Sequence, residues 1–186
     1  MFNVKSFMVE IHRGEGDDVT DAADLIVEQW RRERPELEGS LQSVEVLGRV
    51  LRMQRVYDQH FKRLNDEFAV NMGEFDMLAT LRRSGPPYTL SAGAFAKAAM
   101  VSPGAITNRM DRLEDKGLVE RIRDRADRRS VKIRLTERGK TLVDEAMAAH
   151  LRDYDEILSV LTPEECQQIA SGLRKILEAQ GDTTLT

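Results

Sequence analysis

Residues 118–135 interrupt a chain that otherwise shows helical periodicity, and this interruption restricts the possible folds more than any other feature. Apolar and polar residues alternate over 118–123 and again over 130–135, which predicts two strands joined by the loop 124–129. Gly117 is typical of a helix C-terminus, and Thr136 of a helix N-cap. The pattern predicts one β-hairpin set between helices.

Helical spacing of apolar residues predicts the other elements. The predicted helices cover 20–33, 41–69, 71–83, 91–100, 102–116, 136–159 and 163–180, with a turn at 36–40 and a break at 85–87. The second of these helices would be roughly 40 Å long at 1.5 Å per residue. Because a small domain does not need so long a helix, part of it is expected to pack on another subunit.

Composition excludes several classes of protein. Hydrophobic residues make up 41% of the 186 residues and charged residues 32%, which is typical of a folded, helix-rich protein and not of a disordered one. Cys166 is the only cysteine, so neither an internal disulfide nor a cysteine-based zinc cage is possible, and a reducing cytoplasm is expected. No apolar run is long enough to span a membrane, and residues 1–19 make a poor secretory signal.

The sequence offers no catalytic or metal-binding pattern. His12, His60 and His150 are far apart and lack the spacing of metal ligands. His60 and His150 lie on predicted interface helices, where a pH-sensing role and simple packing are both open. A glycine-rich phosphate loop, a nucleophile elbow and a Ser/His/Asp arrangement are all missing from the sequence. We therefore expect a protein that is not an enzyme and that uses no cofactor or metal.

Charge is distributed unevenly along the chain. Residues 97–136 contain eleven basic and six acidic residues, a net charge of +5, while the remainder contains 17 basic and 26 acidic residues, a net charge of −9. The overall charge of −4 therefore conceals a basic segment on an acidic body. This distribution is typical of proteins that bind DNA. A solvated, charged hairpin is the alternative, and charge alone does not distinguish the two.

The order of elements indicates a winged helix-turn-helix. Two short helices and a tight turn precede the basic hairpin, and the second helix, 102–116, would enter the major groove of DNA. Asn108 and Arg112 are candidates for reading base edges, because asparagine and arginine bind adenine and guanine through two hydrogen bonds. Ser102 and Thr107 are candidates for contacts with phosphate, and Arg109 of the same helix is also predicted to bind DNA. An amphipathic surface helix followed by an ordinary β-ribbon is the alternative.

The hairpin and the inner face of the recognition helix complete this prediction. Arg128 and Arg129 lie at the hairpin tip, from which a guanidinium can reach a narrow minor groove. Met110 and Leu113, with Ile106, form the apolar stripe of the helix that is expected to be buried.

Four motifs resemble the MarR family of bacterial transcriptional regulators. They are VSPGAITNR at 101–109, DRLEDKGLV at 111–119, DRR at 127–129 and LTERG at 135–139, within a match that extends over 41–180. The resemblance implies a homodimer held by N- and C-terminal helices. It also implies a palindromic operator on double-stranded DNA and repression that a small ligand relieves.

Three motifs, of which the last lies within the first of those four, resemble the urate-responsive subgroup of this family, which includes HucR, PecS and MftR. They are WRRERP at 30–35, GEFD at 73–76 and TNR at 107–109. In that subgroup the tryptophan, the aspartate and the recognition-helix arginine bind the ligand. The resemblance therefore implies a ligand site formed by Trp30, Asp76 and Arg109.

The residues themselves give weaker support to this ligand site. Asp76 lies within an apolar run, so a buried carboxylate there needs a partner. Arg109 falls on the flank of the recognition helix, between its buried and exposed faces, where it can pair with a carboxylate or an anion. A planar anion stacked on Trp30 would then compete with Asp76 and shift the helix. The alternatives are a tryptophan used only for packing and an aspartate that favours the helix dipole.

The predicted fold is mainly α with a small β-hairpin: a winged helix-turn-helix with a helical dimerisation region and an extra N-terminal helix. The predicted regions are an extension at 1–19, N-terminal and dimerisation helices at 20–70, the DNA-binding region at 71–136, C-terminal dimerisation helices at 137–180 and a tail at 181–186. The expected function is that of a cytoplasmic, ligand-responsive repressor. An architectural DNA-binding protein without a ligand, and a regulator that responds to a phenolic acid or another aromatic anion, remain the alternatives.

Overall fold

The structure is a computed structural model, and it describes residues 20–91, 93–95, 103–123 and 131–184. The chain divides into two compact units, residues 1–56 and 57–186, and the boundary falls inside a long helix. Within the described ranges, no helix combines the length and the apolar content that crossing a bilayer requires.

The first unit contains α1 (Ala22–Glu33), a 3-10 helix (Pro35–Ser40) and the first half of α2 (Leu41–Phe68). Asp21 caps α1, since its carboxylate accepts hydrogen bonds from the backbone N–H groups of Ala23 and Asp24. Arg49 of α2 pairs with Asp21 at 2.9 Å and with Asp24 at 2.6 Å. The cap of α1 is thereby tied to α2 within this unit.

The second unit contains the rest of α2, the remaining helices and all the described strands. These are α3 (Met72–Arg83), β1 (Thr89–Ser91), α4 (Pro103–Asp115), β2 (Val119–Arg123), β3 (Val131–Leu135), α5 (Glu137–Leu158) and α6 (Pro163–Ala179). Residues 93–95 are also helical, and Ser91 accepts a hydrogen bond from the backbone N–H of Ala94, as expected of a cap.

Local signals set the helix ends where the sequence predicts them. Asn71 caps α3 and Thr162 caps α6, each in a reciprocal capping box with a glutamate three residues on. Thr136 caps α5 through the backbone N–H of Gly139. Gly117 has φ of +68°, the left-handed conformation in which glycine most readily follows a helix.

The sheet has one strand more than the sequence predicts. The order is β1-β3-β2, and both pairings are antiparallel. Leu90 of β1 lies opposite Ile133 of β3. On the other side of β3, Arg121 of β2 lies opposite Ile133, and β2 and β3 are the two strands of the expected hairpin. A three-residue strand is too short to show alternation, so β1 is defined by its partner and not by its own sequence.

The core of the second unit lies between α3, α4, the sheet and α5. Its fully buried members include Met77, Leu78, Leu81, Phe95, Leu113, Leu118, Ile133 and Val143. Met110 and Leu113 of α4 are buried, which confirms two of the three positions expected for the apolar stripe of that helix. The side chain of Ile106 lies outside the described residues.

Candidate functional site

The solvent-facing side of α4 carries the residues proposed to read DNA. Thr107, Asn108 and Arg112 are exposed there, together with Asp111 and Asp115. Asn108 and Arg112 are four residues apart, so they lie on one face of the helix. Ser102, Arg128 and Arg129 lie outside the described residues.

Acidic side chains pair with several cations of the basic segment. Arg121 of β2 contacts Asp111 and lies 2.5 Å from Glu114, both on α4. Arg134 of β3 lies 2.8 Å from Glu120 of β2. These exposed pairs contribute little to stability individually. They do link the recognition helix to the sheet, and they lower the positive charge that this surface presents.

Arg109 lies on the flank of α4, as the sequence predicts, and its guanidinium packs on the first turn of α3. Its Nη1 atom is buried and has no hydrogen-bond partner among the described residues. A Cβ added to Gly73 would lie 2.4 Å from Cζ of Arg109 and 2.8 Å from its Nη1. Since real Cβ atoms do not approach so closely, only glycine at position 73 admits the guanidinium in this position.

Asp76 lies one turn further along α3 and is half-buried. Burial raises the pKa of its carboxyl above the ordinary value, while the positive charges of Arg83 and Arg109 act in the opposite direction. The structure therefore brings Asp76 and Arg109 into the same electrostatic environment. A half-buried carboxyl with a raised pKa near a cation is common at functional sites.

Glu74, which completes the capping box with Asn71, is also a member of this site. The residue is 1% exposed, and its carboxylate lies 2.8 Å from Nζ of Lys116 and 3.4 Å from Nε of Arg112. The capping-box spacing reveals the contact with Asn71. The pattern of the sequence does not reveal the two ion pairs, because they depend on how α3 packs against α4.

Trp30, the third predicted ligand residue, belongs to the first unit. Its side chain is 46% exposed on α1, and the neighbouring Leu25 and Ile26 are also exposed. Asp76 and Arg109 belong to the second unit. The role of Trp30 in binding a ligand stays a prediction.

A second cluster joins two histidines that are 90 residues apart in sequence. His60 of α2 is fully buried, its Nδ1 lies 2.5 Å from the carboxylate of Asp153, and its Nε2 lies 2.7 Å from Nδ1 of His150. With Asp153 as acceptor, Nδ1 of His60 donates, and Nε2 of a neutral His60 then accepts from His150. The rings of Phe61, Phe75 and Tyr154 surround His150. The described residues contain no group of three side chains arranged to hold a metal ion.

The stability of the protein should fall as the pH drops below about 6.5, the ordinary pKa of histidine. Burial and the neighbouring His60 lower the pKa of His150 in the folded state, and Asp153 opposes them. The unfolded chain therefore binds a proton that the folded chain resists, with a slope of up to about 1.4 kcal/mol per pH unit. Urea denaturation at pH 7.5 and 5.5 measures this loss.

The matched variant is His150→Asn, whose side-chain amide can still donate to His60 but does not titrate. We expect a smaller loss of stability for this variant over the same pH range. Equal losses in both proteins would show that another group controls the pH dependence.

Comparisons with known proteins bear on the family and the fold. A family model described as MarR family matches residues 70–131. The chain is 35% identical to the HTH-type transcriptional regulator PecS of Dickeya dadantii (strain 3937), over 81% of this chain and 90% of that protein. Wild-type MarR from E. coli, in the crystal structure of its apo form, is 26% identical in sequence to this chain. The two structures match with a TM-score of 0.58 over 70% of this chain and 96% of that chain. AbsC from Streptomyces coelicolor is 21% identical with a TM-score of 0.65, over 74% of this chain and 93% of that chain.

Proposed function

Because the chain belongs to the MarR family of transcriptional regulators, we propose that it is a repressor that binds a palindromic operator as a homodimer and is released by a small planar anion such as urate. Proteins of this family are regulators and not enzymes. We assign the activity to the cytoplasm. The observation that carries the ligand response is the buried Nη1 of Arg109, which has no hydrogen-bond partner in the described part of the chain, near the half-buried Asp76.

In this proposal the exposed face of α4 reads bases in the major groove. The buried Leu113 fixes the inner face of the helix, which leaves Asn108 and Arg112 directed away from the core. Their amide and guanidinium groups suit adenine and guanine edges. Ser102 and Thr107 would contact phosphate, and Arg128 and Arg129 would enter the minor groove, in line with the family resemblance.

Two exposed apolar faces support the homodimer. The face on α6 consists of Ile169, Leu173, Ile176 and Leu177. The face on the first half of α2 consists of Val46, Leu47, Val50 and Leu51. Each set recurs at helical spacing, so each forms a continuous stripe and not scattered contacts. Apolar stripes of this kind are typical of surfaces that a partner covers. A two-fold dimer would also match the symmetry of a palindromic operator.

The ligand would act through Arg109, because this residue belongs to the recognition helix. An anion that accepts a hydrogen bond from Nη1 satisfies a buried donor. Its charge would also repel the carboxylate of Asp76, and Trp30 would supply a flat stacking surface. A change in the partners of Arg109 then alters how α4 lies on α3, which shifts the dimer away from the DNA-bound state.

The proposed function is tested by a gel shift on DNA from upstream of the protein's own gene, with and without urate, at two salt concentrations. We expect selective binding that urate reverses at both salt concentrations. Binding without sequence preference and with no urate effect would instead identify an architectural protein. Release by a phenolic acid but not by urate would identify the alternative ligand class.

The same gel shift tests the reading face with one substitution and its control. Asn108→Ala should weaken binding to the upstream DNA about tenfold and affect a random duplex much less. Asn65→Ala removes the same side chain from an exposed position on α2 and should change neither. Equal weakening on both duplexes would show that Asn108 does not read bases.

A further inference from the structure

Glu74 is unusual among the helix-capping carboxylates of this protein. In the capping boxes of α3 and α6 alike, a glutamate accepts a hydrogen bond from the backbone N–H of the cap residue. Glu165 does this while it is exposed, whereas Glu74 is buried. A cap does not require burial, and the removal of a carboxylate from water is costly unless cations compensate it. The burial of Glu74 therefore indicates a second role.

That second role concerns the end of the recognition helix. Lys116 follows α4 directly, and its Nζ donates to Glu74 at 2.8 Å and to the backbone oxygen of Ala69 at 2.7 Å. Arg112 lies one turn earlier on the same face of α4, and its Nε is 3.4 Å from the other carboxylate oxygen of Glu74. One buried carboxylate thus holds two cations that are four residues apart.

The ion pair with Glu74 involves Nε of Arg112 and not the end of its side chain. The side chain remains 55% exposed. Nη1 and Nη2 are therefore the nitrogens that can donate to a base edge. The contact at Nε limits how the guanidinium plane can rotate. An arginine that is free to rotate would also bind phosphate groups, which carry no sequence information.

We propose that Glu74 is a positioning residue that sets DNA sequence specificity, because it orients Arg112 and keeps Lys116 from the phosphate backbone. This inference rests on the proposed function, since it requires α4 to read DNA. Glu74 does not touch DNA in this arrangement. It acts by restricting two cations of α4.

The test is Glu74→Gln, because glutamine also serves in a capping box but carries no charge. Binding is measured on a duplex selected from a random pool by the wild-type protein and on a scrambled duplex, at several salt concentrations. We expect the ratio of the two affinities to fall about tenfold. The salt dependence should steepen by about one counterion, since a cation is freed for phosphate. Glu165→Gln changes the capping box of α6 and should alter neither quantity.

A double substitution distinguishes positioning from a general loss of structure. In an Arg112→Ala background, Glu74→Gln should change the affinity ratio less than twofold, because no arginine remains to be oriented. Equal weakening on both duplexes, with a lower melting temperature, would overturn the inference and leave Glu74 a purely structural residue. An unchanged ratio and salt dependence in a folded variant would overturn it as well. A wild-type protein that fails to discriminate the duplexes would overturn the proposed function itself.

Discussion

Gly139→Ala should destabilise the protein by about 3 kcal/mol, near the upper end of the usual cost of overpacking. A Cβ at this position of α5 would lie 2.0 Å from the carbonyl oxygen of Leu118 and 2.9 Å from its carbonyl carbon. These are backbone atoms immediately before β2, so they cannot rotate away as a side chain can. The helix would have to move off the sheet. Urea denaturation measures the change in the free energy of unfolding.

Gly172→Ala is the matched control and should have the opposite sign. Gly172 also lies inside a helix, α6, but nothing lies within 4 Å of an added Cβ. Alanine restricts the unfolded chain more than glycine does, so we expect a gain of about 0.5–1 kcal/mol. Similar effects at the two positions would mean that α5 does not approach Leu118 as closely as described.

Gly73→Ala should strongly weaken the response to urate while DNA binding is retained. The added Cβ would occupy the position of the Arg109 guanidinium, and because that group ends a flexible side chain, it would be displaced while the helix remained intact. Loss of a charged donor from a binding site costs roughly a ten- to hundredfold change in affinity. The measurement is the urate concentration that releases half of the bound DNA, and we expect it to rise by that factor.

Gly48→Ala provides the control for this second substitution. Gly48 lies in α2, and an added Cβ would make only an ordinary 4.0 Å contact with Val44. The urate concentration that releases half of the bound DNA should be the same for this variant as for the wild type. Asp76→Asn, which removes the competing charge, should also alter the urate response. If Gly73→Ala responds to urate as the wild type does, Arg109 in its buried position is not the ligand-binding group.

Helix ends could be predicted because their causes are local. Asn71, Thr136 and Thr162 each cap a helix through a backbone group within three residues, so the signal and the contact lie in the same short segment. The third strand could not be predicted in this way. Leu90 belongs to a strand only because β3 lies beside it, and such pairing between distant segments is absent from local propensity.

The site shows the same division between local and distant causes. The flank position of Arg109 follows from helical spacing, and so does the exposed face that carries Asn108. The glycine that admits the Arg109 guanidinium is 36 positions away in sequence, and its role is visible only once α3 packs on α4. His60 and His150 look unrelated in the sequence for the same reason, although their rings hydrogen-bond in the structure.

The ion pairs around α4 also bear on how such a protein moves through a cell. Arg121, Arg134 and Lys116 each contact a carboxylate of this chain, so part of the positive charge counted in the sequence is already matched before any DNA arrives. Attraction to nucleic acid without regard to sequence depends on free cations. A surface whose cations are partly paired with carboxylates therefore binds RNA and unrelated DNA more weakly than an unpaired one would.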